Sequence, residues 1–180
     1  MKKPRILGRR TLCTTPYFRI SRLVADFADH RKTYYVSNHG ERAGAILLKG
    51  NSVLLVSQYR FLAGRGCWEI PGGAVEKRET PAAAAARECR EEAGVSCRRL
   101  TPLLTFMPGT DTLANRTHLF VGRGIREAPL APGGEIDRRR WVPFAQCLEW
   151  VRRGRIEDGL TVTALLAFRI FGRDASRRRG

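Results

Sequence analysis

The stretch PGGAVEKRETPAAAAARECREEAG, Pro71 to Gly94, constrains this chain more than any other segment. A helix is written into it. Thr80 suits an N-cap, Pro81 suits the first helical position, and the alanines at 82 to 86 propagate a helix at little conformational cost. Gly94 stands where a left-handed glycine ends one. On the 3.6-residue period Ala82, Ala86, Cys89 and Ala93 form a stripe of small residues able to press against a sheet. Glu88, Glu91 and Glu92 then share the other side, where like charges three and four residues apart repel. Arg87 lies one turn before Glu91 and offsets part of that repulsion, and Glu79, just before the helix, is within reach of Arg87. Upstream, Trp68-Glu69-Ile70 reads as a short strand. Pro71-Gly72-Gly73 reads as a sharp turn, because glycine accepts backbone angles other residues avoid.

The flanking sequence is richer in strands than in helices. FRISRLVADF and KTYYVS alternate as exposed antiparallel strands do. AGAILLKG and SVLLVSQYR, separated by Lys49-Gly50-Asn51, read as a hairpin. LTPLLTF, THLFVGRG and RRRWVPF follow the helix, punctuated by Pro108-Gly109 and Pro132-Gly133-Gly134. Helices over 145–153 and 159–171 close the chain. The first dozen residues and the tail RDASRRRG read as frayed and solvated. Mixed strands, one internal helix and helices at the end predict an α/β (α+β) sandwich rather than a regular parallel wind.

Composition narrows the function classes. The 180 residues fit one domain with a small appendage, and no run reaches the apolar length of a membrane span. The basic start has no apolar h-region, so the expected location is cytoplasmic. Cys13, Cys67, Cys89, Cys97 and Cys147 are an odd, scattered set that argues against a disulfide framework or a zinc site. His30, His39 and His118 are isolated and read as surface or hydrogen-bonding residues. A net charge of +16 attracts polyanions. It keeps nucleic acid open as a partner class, although no RNA-binding aromatic motif supports it.

The acidic helix has two readings. One is a solvated face with ordinary ion pairs. The other is a metal site: Mg²⁺ takes hard oxygen ligands and binds through one or two carboxylates plus substrate phosphates. Glu88 and Glu92, at i and i+4, can converge on such an ion, with a backbone carbonyl of Gly72-Gly73 as a further ligand. Glu91 beside them can hold a second ion or orient water.

Gly73, five residues, Glu79, seven residues and then Arg87-Glu88-Cys89-Arg90-Glu91-Glu92-Ala93-Gly94-Val95 resembles the Nudix box, G-x5-E-x7-R-E-U-x-E-E-x-G-U, with U bulky and apolar. All its fixed letters match in register. Cys89 replaces the usual aliphatic residue and serves as a small hydrophobe. The resemblance implies the Nudix fold, a mixed β-sheet between helices, here with extra N-terminal antiparallel strands. It also implies hydrolysis of a nucleoside diphosphate linked to another group, dependent on Mg²⁺ with Mn²⁺ as a substitute. By position Glu88 and Glu92 are implied metal ligands, Glu91 a metal or water partner and the Gly72 carbonyl a ligand. The Glu79–Arg87 pair and Gly73 brace the loop.

The resemblance runs over roughly Val36 to Phe171. SVLLVSQYR, WEIPGG and GRIEDGLTVTALLAF resemble the ADP-ribose and nucleotide-sugar pyrophosphatase branch. The organisation expected from it is an N-terminal strand region over 1–40 that builds a homodimer, a hydrolase domain over 41–172 and a basic tail over 173–180. Arg60 falls where the branch places an arginine on substrate phosphates, although an exposed strand-end arginine is the rival reading. Trp68 either stacks on a base or ribose or belongs to the core. Glu135, in a glycine-flanked loop after the box, is the candidate catalytic glutamate, with an ordinary surface acid as its rival. The branch's proline beyond the box is represented by Pro108, nearer the box than usual, which keeps GDP-mannose and other sugar nucleotides open. Also open are a hydrolase of RNA caps or modified triphosphates, and a non-catalytic nucleotide- or nucleic-acid-binding module on the same fold.

Overall fold

The computed structural model describes residues 3–129 and 136–172, with the side chain of Asp137 left aside. Glu135, Pro132-Gly133-Gly134 and the 173–180 tail therefore lie outside the described residues. In chain order the strands are β1 Arg5–Thr14, β2 Arg19–Asp26, β3 Arg31–Asn38, β4 Arg42–Lys49, β5 Ser52–Arg60, β6 Arg65–Glu69 and β7 Gly72–Ala74, then β8 Val95–Phe106, β9 Leu113–Ala114, β10 Thr117–Glu127 and β11 Ile136–Pro143. The helices are α1 Pro81–Ala93, α2 Phe144–Arg152 and α3 Gly159–Phe171, and a 3₁₀ turn covers Phe61–Ala63. None of these helices is long and apolar enough to cross a membrane.

The chain divides into two compact units: Met1–Glu41 with Phe106–Thr117, and Arg42–Thr105 with His118–Gly180. The first is a sheet in the order β1-β2-β3-β9, antiparallel except for the β3–β9 pair. β1 corrects the expectation of a frayed start. It is exposed along its whole length, so it carries no apolar alternation to read, and it is a strand because its backbone pairs with β2.

The second unit holds a seven-stranded sheet in the order β11-β5-β4-β10-β8, with β6 pairing β5 and β7 pairing β4. The Gly50-Asn51 hairpin forms as expected, with Lys49 opposite Ser52 and Gly50 at a φ of 57°. Strand alternation sends residues to two faces. Ala43, Ala45 and Leu47 of β4 pack with Ala84, Ala85, Cys89 and Ala93 of α1. Gly44 points to the other face, where a Cβ on it would lie 3.0 Å from Leu160 of α3. The expected mixed sheet between helices is what the structure shows, and the closing helices fall within one residue of their expected bounds.

One local expectation is overturned. Gly72 and Gly73 do not make a turn through unusual backbone angles; both lie in extended strand paired with β4. They are glycines because of close approach. A Cβ on Gly72 would sit 2.8 Å from both the Ala43 carbonyl oxygen and the Gly44 Cα. The backbone has nowhere to retreat, so Gly72→Ala is expected to lower the unfolding free energy by about 1–3 kcal/mol. A urea titration checks this through a lowered midpoint at unchanged slope; an unaltered midpoint would mean the strand pair relaxes freely.

Candidate active site

Helix α1 is capped as its sequence predicts. Thr80 Oγ1 accepts from the Ala83 N–H at 3.2 Å, and Gly94 ends the helix at a φ of 58°. Its buried stripe is rotated from the expected one. Ala84, Ala85, Glu88, Cys89 and Ala93 are buried, while Ala82 is exposed and Ala86 half-buried. Several alternative stripes of alanine satisfy the helical period in this run, so periodicity alone does not choose among them. Packing against Ala43 and Ala45 does. Small residues on both surfaces bring the helix close to the sheet, and the rotation carries Glu88 inward to 9% exposure. Glu91 stays outside. The three acids lie on one side of the helix but differ in depth, Glu88 buried, Glu92 half-buried and Glu91 exposed.

Arg87 holds this arrangement together. Its Nε donates to Glu79 Oε1 at 3.1 Å and its Nη2 to Glu79 Oε2 at 3.2 Å, the brace expected from sequence. Nη2 also donates to the Ala74 carbonyl at 2.9 Å, and Nη1 to Glu88 at 2.8 Å and Glu91 at 2.9 Å. Glu79 Oε2 accepts the Glu76 N–H at 3.1 Å, closing the loop between β7 and α1. Within that loop Arg78 holds a φ of 70°, a conformation that persists in a non-glycine residue only when its surroundings enforce it. Hydrogen bonding to Arg87 holds the Glu79 carboxyl below its ordinary range.

Glu88 and Glu92 lie against the glycine strand. The Glu88 carboxylate occupies the space a Gly73 Cβ would need, its Oε1 only 2.2 Å from that position. Glu92 Oε2 accepts the Gly72 N–H at 2.8 Å. Burial pushes the Glu92 carboxyl up to about 7, with the Gly72 hydrogen bond pulling it down and Glu88 repelling it. Burial also raises Glu88, against the downward pull of Arg87. Among the described residues, no three His, Cys, Asp or Glu side chains form a ready metal cage. The donor set is instead two half-desolvated carboxylates beside main chain. That fits a magnesium-type ion, which takes one or two carboxylates and completes its shell with water and substrate oxygens.

Arg60 and Trp68 sit on the neighbouring hairpin. Arg60 Nε donates to Glu69 Oε1 at 2.8 Å and Nη2 bonds Glu69 Oε2, a two-point pair. Trp68 is half-buried, 6.0 Å between ring centres from the buried Trp150. Arg60, Glu69, Phe61 and Asp158 line an open cavity of about 350 Å³.

Two contributions were not read from the sequence. Thr161, fully buried, donates its hydroxyl proton to Asp158 Oδ2 at 2.6 Å and accepts the Ile70 N–H at 3.0 Å, tying the start of α3 to the link between β6 and β7. The Asp-x-x-Thr spacing before an apolar run was the available signal for that cap. Arg139 of β11 donates to the Ala93 carbonyl at 2.6 Å and so caps the C-terminus of α1. Nothing local in the sequence marks it among three consecutive arginines.

Comparison with known proteins gives four findings. The NUDIX domain model matches residues 38–161. The CMP-5'-(N-acetyl-N-hydroxy-3-aminopropyl)phosphonate hydrolase of Streptomyces rubellomurinus is 34% identical over 141 residues, 73% of this chain and 67% of that protein. The ADP-ribose pyrophosphatase of Haemophilus influenzae is 34% identical over 132 residues, 65% of this chain and 60% of that protein. A solved structure described as an ADP compounds hydrolase superimposes with a TM-score of 0.83 over 98% of each chain at 18% identity, a likeness of fold.

The elevated Glu92 carboxyl has a signed consequence. Between its ordinary 4.5 and its native value near 7 the folded state binds more protons than the unfolded chain. Its contribution to stability therefore falls as pH rises through that window, and above it the penalty is complete. In the absence of metal, Glu92→Gln is expected to be more stable than the unmutated protein at pH 8 by about 1–3 kcal/mol, the gap closing near pH 4. Denaturant titrations at both pH values check this; a gap independent of pH would contradict it.

Proposed function

The chain belongs to the Nudix family of hydrolases, and from that premise we propose that it hydrolyses the diphosphate linkage of ADP-ribose or a related nucleotide sugar. The products are a nucleoside monophosphate and a sugar phosphate, AMP and ribose 5-phosphate in the case of ADP-ribose. The observation that carries this reading is the pair Glu88–Glu92, held against the backbone of Gly72 and Gly73 with its charge only partly compensated. Similarity to an ADP-ribose pyrophosphatase supports the choice of substrate class.

In this mechanism Glu88, Glu92 and the Gly72 carbonyl would hold the ion, Mg²⁺ by preference and Mn²⁺ in its place. Bound there, a divalent cation would neutralise charge on the diphosphate oxygens and acidify water. The side chains do the rest. Arg60 orients the phosphates through its guanidinium fork. Glu79 and Arg87 keep the loop and Glu88 in place. Glu135 takes the proton from the attacking water, with Glu91 as the alternative acceptor; Glu91 in the structure is ion-paired to Arg87. Trp68 contributes a ring beside the hairpin. Positioning and charge neutralisation supply most of the rate. The strands of residues 1–40 provide the contact for a homodimer, residues 41–172 the hydrolase and 173–180 a basic tail.

A second reading has an observation of its own. The relative from Streptomyces rubellomurinus is named for a CMP-linked phosphonate, so cytidine nucleotides belong in the same assay.

Two measurements test these assignments. A turnover panel over ADP-ribose, GDP-mannose, ADP-glucose and a CMP-linked phosphonate, with and without Mg²⁺, is expected to give metal-dependent release of AMP from ADP-ribose at the highest kcat/KM. Turnover unaffected by chelation, or none on any of these compounds, would refute the proposal. Glu92→Gln is expected to lower kcat/KM by about 100-fold or more with the fold intact, and undiminished turnover in that variant would refute the site.

A further inference from the structure

We propose that Glu69 is a positioning residue for Arg60, holding the guanidinium at the edge of the hairpin cavity where it meets the diphosphate of the substrate. The proposal rests on the activity stated above and adds a residue that the box does not contain.

Arg60 ends β5 and Glu69 ends β6, two strands paired antiparallel, with Glu69 opposite Val56 rather than opposite Arg60. The arginine therefore folds back along the hairpin to reach its partner. It does so through both Nε and Nη2 onto both carboxylate oxygens. That uses two of the donors in the guanidinium fork and leaves the others for a second anion. Glu69 is 6% exposed, so its carboxylate is largely withdrawn from solvent where it pairs with Arg60. The Arg60 side chain, in contrast, is 41% exposed and borders the cavity of about 350 Å³ with Glu69 and Asp158. That volume falls within the range of small-molecule sites. The pair thus has a fixed inner half and an accessible outer half.

The arrangement matters because this chain has cation in excess. Thirty-three lysines and arginines against 17 acids attract an anionic nucleotide. Attraction does not orient it. An arginine free at a strand end must give up its rotamer freedom when it binds, whereas one already anchored by a buried carboxylate does not. Glu69 is also joined to Gly72 by only Ile70 and Pro71, and the Ile70 N–H is itself fixed by Thr161. The hairpin arginine and the glycine strand are accordingly referenced to one stretch of backbone.

The test is a double-mutant cycle of Arg60→Ala and Glu69→Gln on the full chain. It is read as KM and kcat for ADP-ribose and as ADP affinity by calorimetry with Mg²⁺, and unfolding midpoints are recorded for each variant. Glu69→Gln is expected to raise KM and the ADP dissociation constant by about tenfold with little change in kcat. In the Arg60→Ala background it is expected to add nothing. Arg60→Lys, which keeps the charge and loses the fork, is expected to match Glu69→Gln, and Glu69→Asp to recover part of the affinity. Equal losses with and without Arg60, or unchanged ADP affinity in Glu69→Gln, would overturn the inference while leaving the activity standing. If no nucleotide sugar is turned over, the activity fails and the cycle is still read from ADP affinity. If ADP does not bind at all, both fail.

Discussion

The structure turns on how closely one helix can lie on one sheet. Ala84, Ala85 and Ala93 of α1 meet Ala43 and Ala45 of β4, and this contact of small residues sets the depth at which the helix sits. At that depth Glu88 fills the space beside Gly73 and Glu92 reaches the Gly72 N–H. A larger side chain at the interface, or a Cβ on either glycine, would move the acids and the backbone apart. The glycines and the alanines, though far apart in sequence, thus answer the same geometric demand.

Charge is distributed around that contact with a consistent logic. Acids that only brace are paired: Glu79 with Arg87, Glu69 with Arg60, Glu127 with Lys49. Glu92 has a single backbone donor, and it is the acid whose ionisation is most hindered of those in the site. An under-compensated carboxylate destabilises the fold around neutral pH, so its retention marks a demand other than stability. Arg87 works at the boundary between the two groups, binding the bracing Glu79 and the site acids Glu88 and Glu91 at once.

Much of this was legible in the chain. The spacing from Gly73 to Val95 placed the loop, the helix and the Glu79–Arg87 brace, because those are local relations carried by cap residues and helical period. What escaped was set by packing across the fold. Which alanines face the sheet depends on β4, so the helical period alone picks Ala82 and Ala86 where packing buries Ala84 and Ala85, and it cannot rank the depths of the three acids. The glycines were assigned to a turn because sequence does not distinguish a glycine needed for its φ from one needed for close approach. The all-exposed β1 had no burial pattern to betray it, and Arg139 is one of three adjacent arginines whose roles separate only when β11 lies beside the end of α1.

The central claim is that Glu88 and Glu92 are drawn together to share a divalent cation with a bound diphosphate. Crystals soaked with Mn²⁺ and a non-hydrolysable ADP-ribose analogue test it directly through anomalous scattering. A manganese peak at coordination distance from both carboxylates and from a diphosphate oxygen is expected. A peak confined to other surface acids, or an analogue bound with both carboxylates turned away from any ion, would contradict it.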